Sequence, residues 1–243
     1  MTSRTVVVTG GGTGIGFAIA RAFADAGDQV VVTGRRKGVL YDAVTALGSG
    51  ARAVAFDASD PAQVGGALID LPTTVDVLVN NAGGNTDFAH ADPTDLVGLS
   101  AAWQANFEAN VMSAVLVTEA LRPRMSSGGR IINFSSIGAH RPGAGSYAAA
   151  KAAIEAWTFT LAAQLGPDGI TANVIAPGYI EATEFFSAGM SKERLAFNIN
   201  STLNKRAGTP ADIAAMAVFL ASPGAVHVTG QTLHVNGGAF LGR

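Results

Sequence analysis

Apolar residues along the chain fall into two patterns, short unbroken runs and longer stretches with helical spacing, and the two alternate. The runs are Thr5–Val8 (TVVV), Gln29–Thr33 (QVVVT), Arg52–Phe56 (RAVAF), Asp76–Val79 (DVLV), Arg130–Phe134 (RIINF), Thr171–Ile175 (TANVI) and Gln231–Val235 (QTLHV). Unbroken runs rich in β-branched residues are the signature of strands buried on both faces. After the first run, Ile15, Ala18, Ile19, Ala22 and Phe23 recur on one helical face, and Gly27 closes the helix. Tyr147 opens a strongly helical stretch (YAAAKAAIEAWTFTLAAQL), and Pro210 to Ala221 reads as a last amphipathic helix. Between Asn85 and Ala109 the chain is irregular at first, then helical, with Trp103 and Phe107 expected in the helix core. This alternation predicts an α/β fold over residues 1–243: a single doubly wound Rossmann domain, a seven-stranded parallel sheet with helices on both faces.

Composition narrows the partners. With 243 residues, 48% hydrophobic and 14% charged, the chain suits one large core and not an extended or disordered state. A formal charge of -2 and a pI near 6.1 give no footprint for nucleic acid or an anionic membrane. The absence of cysteine excludes disulfides, thiolate chemistry and Cys-ligated metals. His90 is expected in a loop, where a lone histidine has no companion for a metal site. No apolar stretch approaches a membrane span, so a cytoplasmic protein is expected.

The chemistry-bearing residues gather where the runs end. Gly10, Gly11, Gly12, Gly14 and Gly16 follow the first run and precede a helix, an order that lets backbone approach phosphate at a helix N-terminus. No lysine follows in the manner of a phosphotransferase loop. After the second run, where a carboxylate would hold the ribose hydroxyls of NAD(H), stand Gly34, Arg35, Arg36 and Lys37. Guanidinium groups there suit a 2′-phosphate and favour NADP(H); a basic solvated loop is the plain alternative. Asp57 ends the third run, either as an acceptor for the adenine amino group or as a turn residue. Asn80 to Gly84 turn the chain at the edge where a doubly wound sheet binds ligand. Ser135 and Ser136 end the fifth run. Tyr147 and Lys151 lie four apart, one turn along the same helical face, so an ammonium can draw the phenol pKa down from about 10. His140 has no paired acid that sequence can identify, and no nucleophile elbow is present, which argues against a serine-hydrolase triad.

These residues in this order resemble the short-chain dehydrogenase/reductase family. The match runs through Thr9-Gly10-x-x-x-Gly14-Ile15-Gly16, Asn80-Asn81-Ala82-Gly83, Asn110, Ser136, Tyr147-x-x-x-Lys151, Asn173-x-x-x-Pro177-Gly178 and Gly230-Gln231 to Val235-Asn236-Gly237-Gly238. It covers essentially the whole chain and is nearest the 3-oxoacyl-carrier-protein-reductase-like branch.

The resemblance implies hydride transfer between a nicotinamide cofactor and a small carbonyl or alcohol. Tyr147 would protonate the developing alkoxide, and Lys151 would lower its pKa and bind the nicotinamide ribose. Ser136 would hold the carbonyl oxygen, and Asn110, at a helix kink, would hold water that links Lys151 to solvent. The implied cofactor site comprises Gly10, Thr13, Gly14, Ile15, Gly16, Arg35, Arg36, Asp57, Asn81, Ala82, Gly83, Tyr147, Lys151, Pro177, Gly178, Ile180 and Thr183. Two departures stand out. Thr183 is one position later than the family's carboxamide-binding threonine, and the Ser136-to-Tyr147 interval is short, the loss falling in His140 to Gly145; this leaves Ser135 as a stand-in for Ser136. Residues 184–203 read as an amphipathic pair of helices over the core or, more sharply, as a lid over an apolar substrate. The glycine-rich tail after Asn236 would sit at a subunit interface, in a homotetramer or a dimer. The expected function is NADP(H)-dependent reduction of a ketone or 3-oxoacyl carbonyl to a secondary alcohol. The alternatives are an NAD-dependent secondary alcohol dehydrogenase and a non-catalytic nucleotide-sensing protein.

Overall fold

The structure is a computed structural model that describes residues 3–89, 93–186 and 190–242. His90 and the part of the expected lid at residues 187–189 lie outside the described residues. Strands and helices alternate as β1 (Thr5–Thr9), α1 (Gly14–Asp25), β2 (Gln29–Gly34), α2 (Lys37–Leu47), β3 (Ala51–Ala55), α3 (Pro61–Ala67) and β4 (Val77–Asn80). There follow α4 (Leu96–Phe107), α5 (Ser113–Leu121), β5 (Arg130–Phe134), α6 (Gly145–Leu165), β6 (Thr171–Pro177), α7 (Lys192–Asn200), α8 (Pro210–Leu220) and β7 (Thr232–Val235). All seven strands are parallel, in the order β3-β2-β1-β4-β5-β6-β7.

The apolar runs pack as unbroken runs must. Val6 and Val8 point to one face, with Ile19, Phe23 and Ile213 from α1 and α8. Val7 points to the other, with Leu78, Leu121, Ile131 and Leu161 around it. Each side chain so buried contributes about 1.5–3 kcal/mol relative to exposure. Capping sharpens the helix starts. Asp60 caps α3, and Thr209 with Asp212 forms a capping box at α8, where the Arg206 guanidinium holds the Asp212 carboxyl well below its usual range.

Strand ends move by a residue or two from the sequence expectation: β3 starts at Ala51, and β6 runs on to Pro177. Three expectations need correction. Trp103 is 44% exposed, because this face of α4 has no element packed over it among the described residues, and α4 as a whole buries little beyond Asn106. Among the described residues of 184–203 there are one short 3-10 turn, Glu184–Phe186, and one helix, α7, rather than a pair of helices. None of α7's side chains is buried, so it does not cover the core. The kink at Asn110 is a turn of π-helix, Glu108–Met112, inserted between α4 and α5.

Candidate active site

The strand order reverses at β1 and β4, and the loops leaving those strands frame a crevice at the carboxyl edge of the sheet. The glycine turn after β1 is held closed by backbone contacts that admit no side chain. A Cβ on Gly16 would sit 2.2 Å from the Gly10 carbonyl oxygen, and Gly10 itself has φ +63°. From the other side of the crevice, Asn81 Nδ2 donates to the carbonyls of Thr9 and Gly10 at 3.0 and 3.2 Å, while Thr9 Oγ1 accepts from Ala82 N at 3.0 Å. The Asn81 side chain therefore shapes the glycine turn from behind. Gly83 (φ +147°) leaves room for Asn110, whose amide spans Gly84: Nδ2 donates to its carbonyl at 2.8 Å and Oδ1 accepts from its N–H at 3.0 Å. Asn110 is thus buried, and the π-turn and the β4 loop hold each other.

The glycine turn delivers α1 with a bare N-terminus. Thr13 stands at the N-cap without a side-chain cap, and no acidic residue lies in the first turn. The unsatisfied N–H groups and the positive end of the helix suit an anion. An anion from the chain itself lies beside them. Glu184 Oε2 is 2.7 Å from Arg36 Nη2 and accepts from Thr13 Oγ1 at 3.3 Å, and the Arg36 hydrogen bond draws the carboxyl below its usual range. A clamp that already holds a carboxylate fits the phosphates of a dinucleotide. Arg35 lies 3.9 Å from the Asp57 carboxylate and is otherwise largely exposed. Asp57 Oδ1 closes a turn by accepting from Ser59 N and Oγ at 3.0 and 2.7 Å, which is the turn role. Thr183 hangs over the glycine turn, its Cβ 3.6 Å from where a Cβ of Gly14 would lie, with Oγ1 donating to the Ile180 carbonyl at 3.3 Å. Pro177 ends β6, and Gly178 passes against Asn236, leaving no space for a Cβ (2.7 Å). Ile180 is buried in a bridge to Gly208.

Across the crevice, Ser136, Tyr147 and Lys151 come together, nearly excluded from solvent in the case of the last two. Ser136 Oγ and the Tyr147 ring lie side by side, 3.3 and 3.5 Å from where a Cβ of Gly138 would sit, and Ser136 Oγ accepts from Gly138 N at 3.0 Å. Ser135 turns the other way, so the shortened loop leaves Ser136 as the serine beside the phenol. Lys151 Nζ donates to the Phe134 carbonyl at 2.9 Å and lies 5.8 Å from the centroid of the Tyr147 ring. Burial pushes Lys151 down to about 8 and Tyr147 up to about 12, the neighbouring Ser136 hydroxyl opposing the latter only in part. The expected lowering of the phenol pKa by Lys151 is absent here, because desolvation of the phenolate dominates and the ammonium is directed at Phe134.

Sequence reasoning missed three contacts. Glu155 lies one turn beyond Lys151 on the face that carries Tyr147, and its Oε1 accepts from Ser135 Oγ at 2.5 Å and from His140 Nε2 at 3.0 Å. So His140 does have a paired acid, but the serine sits on that acid and not on the imidazole, which is no hydrolase triad. The helical spacing was the signal that could have found it. Asn106 ties Asp87 and Ser146 together at 2.8 and 2.9 Å beside Tyr147. Phe185, next to Glu184, packs 5.7 Å from the Tyr147 ring and edge-on to Phe88 at 5.5 Å. The tail folds onto its own chain: Phe240 stacks on His140 at 4.7 Å, and Arg141 donates to the Ala239 carbonyl.

A doubly wound parallel sheet with a glycine turn at its switch point and, opposite it, Ser136 beside the buried Tyr147 and Lys151 defines an oxidoreductase of the Rossmann type. Comparison with known proteins agrees: the family model described as enoyl-(acyl carrier protein) reductase matches residues 10–239. The 3-oxoacyl-(acyl-carrier-protein) reductase of Vibrio cholerae is 34% identical over 98% of both chains. A short-chain reductase of Streptomyces niveus, NovJ, is 36% identical over 96% of this chain and 92% of its own. Among solved structures, a blue fluorescent protein from a metagenomic library, in complex with NADPH, superimposes with a TM-score of 0.87 at 37% identity over 98% of both chains. The short-chain dehydrogenase/reductase of Brucella melitensis gives 0.88 at 30% identity, covering 98% of this chain and 97% of that one. The chain belongs to the short-chain dehydrogenase/reductase family. No helix among the described residues is long and apolar enough to cross a membrane.

Proposed function

We propose that this protein is a cytoplasmic, NADP(H)-dependent carbonyl reductase that converts an apolar ketone or 3-oxoacyl compound to a secondary alcohol. The observation that carries the reading is the convergence of Ser136, Tyr147 and Lys151 across the crevice from the anion clamp of Thr13 and Arg36. When bound, the nicotinamide cofactor supplies the hydride. Thr13 and the N-terminus of α1 hold its phosphates, with Arg36 and Arg35 at the 2′-phosphate. The NADPH bound by the metagenomic relative supports that choice over NAD(H).

Ser136 holds the substrate oxygen by hydrogen bond, and Tyr147 gives it a proton. A phenol held near 12 is fully protonated at neutral pH, which suits the donor in a reduction. Lys151 is still mostly charged at pH 7, and its ammonium would have to leave the Phe134 carbonyl to favour the phenolate left behind. The π-turn at Asn110 provides the route by which that proton is replaced. Phe88 and Phe185 form an apolar wall beside the phenol, which favours apolar substrates. The exposed apolar side chains of α4 and α6, among them Trp103 and Phe159, favour assembly into a homotetramer.

The test is Tyr147→Phe against the unaltered chain, assayed with NADPH and a panel of aromatic ketones and 3-oxoacyl thioesters. Turnover should fall by about 100-fold or more while NADPH binding is retained. Undiminished turnover would remove Tyr147 from the chemistry, and cofactor binding without turnover of any carbonyl would favour a nucleotide-sensing protein. Tighter binding of NADH than NADPH would overturn the cofactor assignment.

A further inference from the structure

We infer that Glu155 and His140 are positioning residues for Ser136, fastening both ends of the loop that carries it to the helix that carries Tyr147. The inference rests on the reading of Ser136 given above. The chain leaves β5 at Phe134 and makes a short 3-10 turn, Ile137–His140, before reaching α6. Ser135 precedes Ser136, and His140 ends the turn. Both bond to one oxygen, Glu155 Oε1, at 2.5 and 3.0 Å. A carboxylate oxygen accepts from both, so Nε2 of His140 carries the hydrogen.

Glu155 is largely buried, its side chain 13% exposed, where a carboxylate is retained only if its lone pairs are filled. Its position fixes geometry. Tyr147, Lys151 and Glu155 follow one another at helical intervals on one face of α6, so a single rigid element sets the phenol and, through Glu155, the loop holding Ser136. Within the loop, Ala139 N donates to the Ser136 carbonyl and Gly138 N to its Oγ, both at 3.0 Å, so anchoring the ends fixes the hydroxyl. The imidazole is clamped in turn: Phe240 stacks on it at 4.7 Å, and His234 of β7 meets it edge-on at 4.8 Å. The loop contains Pro142 with three glycines nearby, Gly138, Gly143 and Gly145, so it gains little order from its own sequence. A fixed anchor supplies what that composition lacks.

Glu155→Leu removes the shared acceptor, whereas His140→Phe keeps a ring against Phe240 and removes only the bond to Glu155. Each is made in the unaltered chain and in Ser136→Ala, and kcat, KM and the NADPH dissociation constant are measured, with thermal melts as a check on folding. Where Ser136 is present, each change should lower kcat about 5- to 20-fold and leave NADPH binding unchanged. In Ser136→Ala the same changes should lower kcat less than twofold, because the group they position is gone. Glu155→Gln, which keeps the acceptor oxygen, should recover most of the activity lost in Glu155→Leu. Equal losses in the two backgrounds would overturn the positioning role alone. A Ser136→Ala enzyme as active as the unaltered one would overturn the serine's role and this inference with it. If Glu155→Leu does not fold, His140→Phe decides the matter by the same comparison.

Discussion

Tyr147 and Lys151 share one solvent-excluded site, and burial moves their proton affinities in opposite directions. For Lys151 the folded value is about 8 against 10.5 for a free side chain, so the folded state binds its proton less well. A depressed pKa contributes stability that is present above the unfolded value and lost as pH falls through the folded one. For Tyr147 the folded value is about 12 against 10, a contribution present below pH 10 and lost as pH rises through 12. Stability of the cofactor-free protein should therefore climb between about pH 8 and 10, by up to about 3 kcal/mol from Lys151, before the tyrosine reverses the trend. Lys151→Met should abolish that climb, read as melting temperature against pH. A slope that persists in the variant would show that other groups carry it. None of this was legible in the sequence. Spacing put the phenol and the ammonium on one face, but burial, and the Phe134 carbonyl that receives the ammonium, decide the sign of the shift.

At the scale of elements, the glycine turn and the start of α1 were readable because each requirement is local: glycines where a Cβ has no room, then a helix without a cap of its own. The segment beyond β6 was not. Its role depends on Glu184 meeting Arg36 and Thr13, residues at the opposite end of the sequence, and such pairings follow from topology alone. On the proposed reading, Glu184 occupies donors that the cofactor's phosphates would take, and binding would displace it. Glu184→Gln should tighten NADPH about two- to fivefold, the range for loss of an exposed ion pair worth up to about 1 kcal/mol. The gain should shrink as salt is raised, and NADH should gain less if Arg36 attends to the 2′-phosphate. Weaker NADPH binding in Glu184→Gln would mean instead that Glu184 helps to close the segment over bound cofactor.

Across the whole molecule, most strands were evident from unbroken apolar runs, because the inner strands of this sheet are covered on both faces, whereas β3 at its edge leaves Arg52, Ala53 and Ala55 exposed. A line of buried polar residues interrupts those runs and fixes how the layers sit on one another. Asn80 Nδ2 on β4 donates to Thr118 Oγ1 on α5 and to Asn133 Oδ1 on β5, both at 2.8 Å. Asn133 Nδ2 donates to Thr158 Oγ1 on α6 at 2.9 Å, and Thr158 donates to the Ile154 carbonyl at 2.7 Å. Two helices and the two central strands are thus joined by side chains in a medium where an unfilled donor is costly. Sequence shows these residues only as polar letters in apolar segments. Thr158→Val keeps the shape of the side chain but leaves Asn133 Nδ2 without its acceptor, at a cost of about 1–3 kcal/mol, and a fall of about 2–12 °C in melting temperature for a chain of this size. Thr45 offers the control, since its hydroxyl makes the same bond one turn back, to the Tyr41 carbonyl at 2.9 Å, on an exposed face. Thr45→Val should change stability by less than about 0.5 kcal/mol. If both variants lose the same small amount, the buried line serves only to fill valences, and apolar packing alone holds α6 and its catalytic face against the sheet.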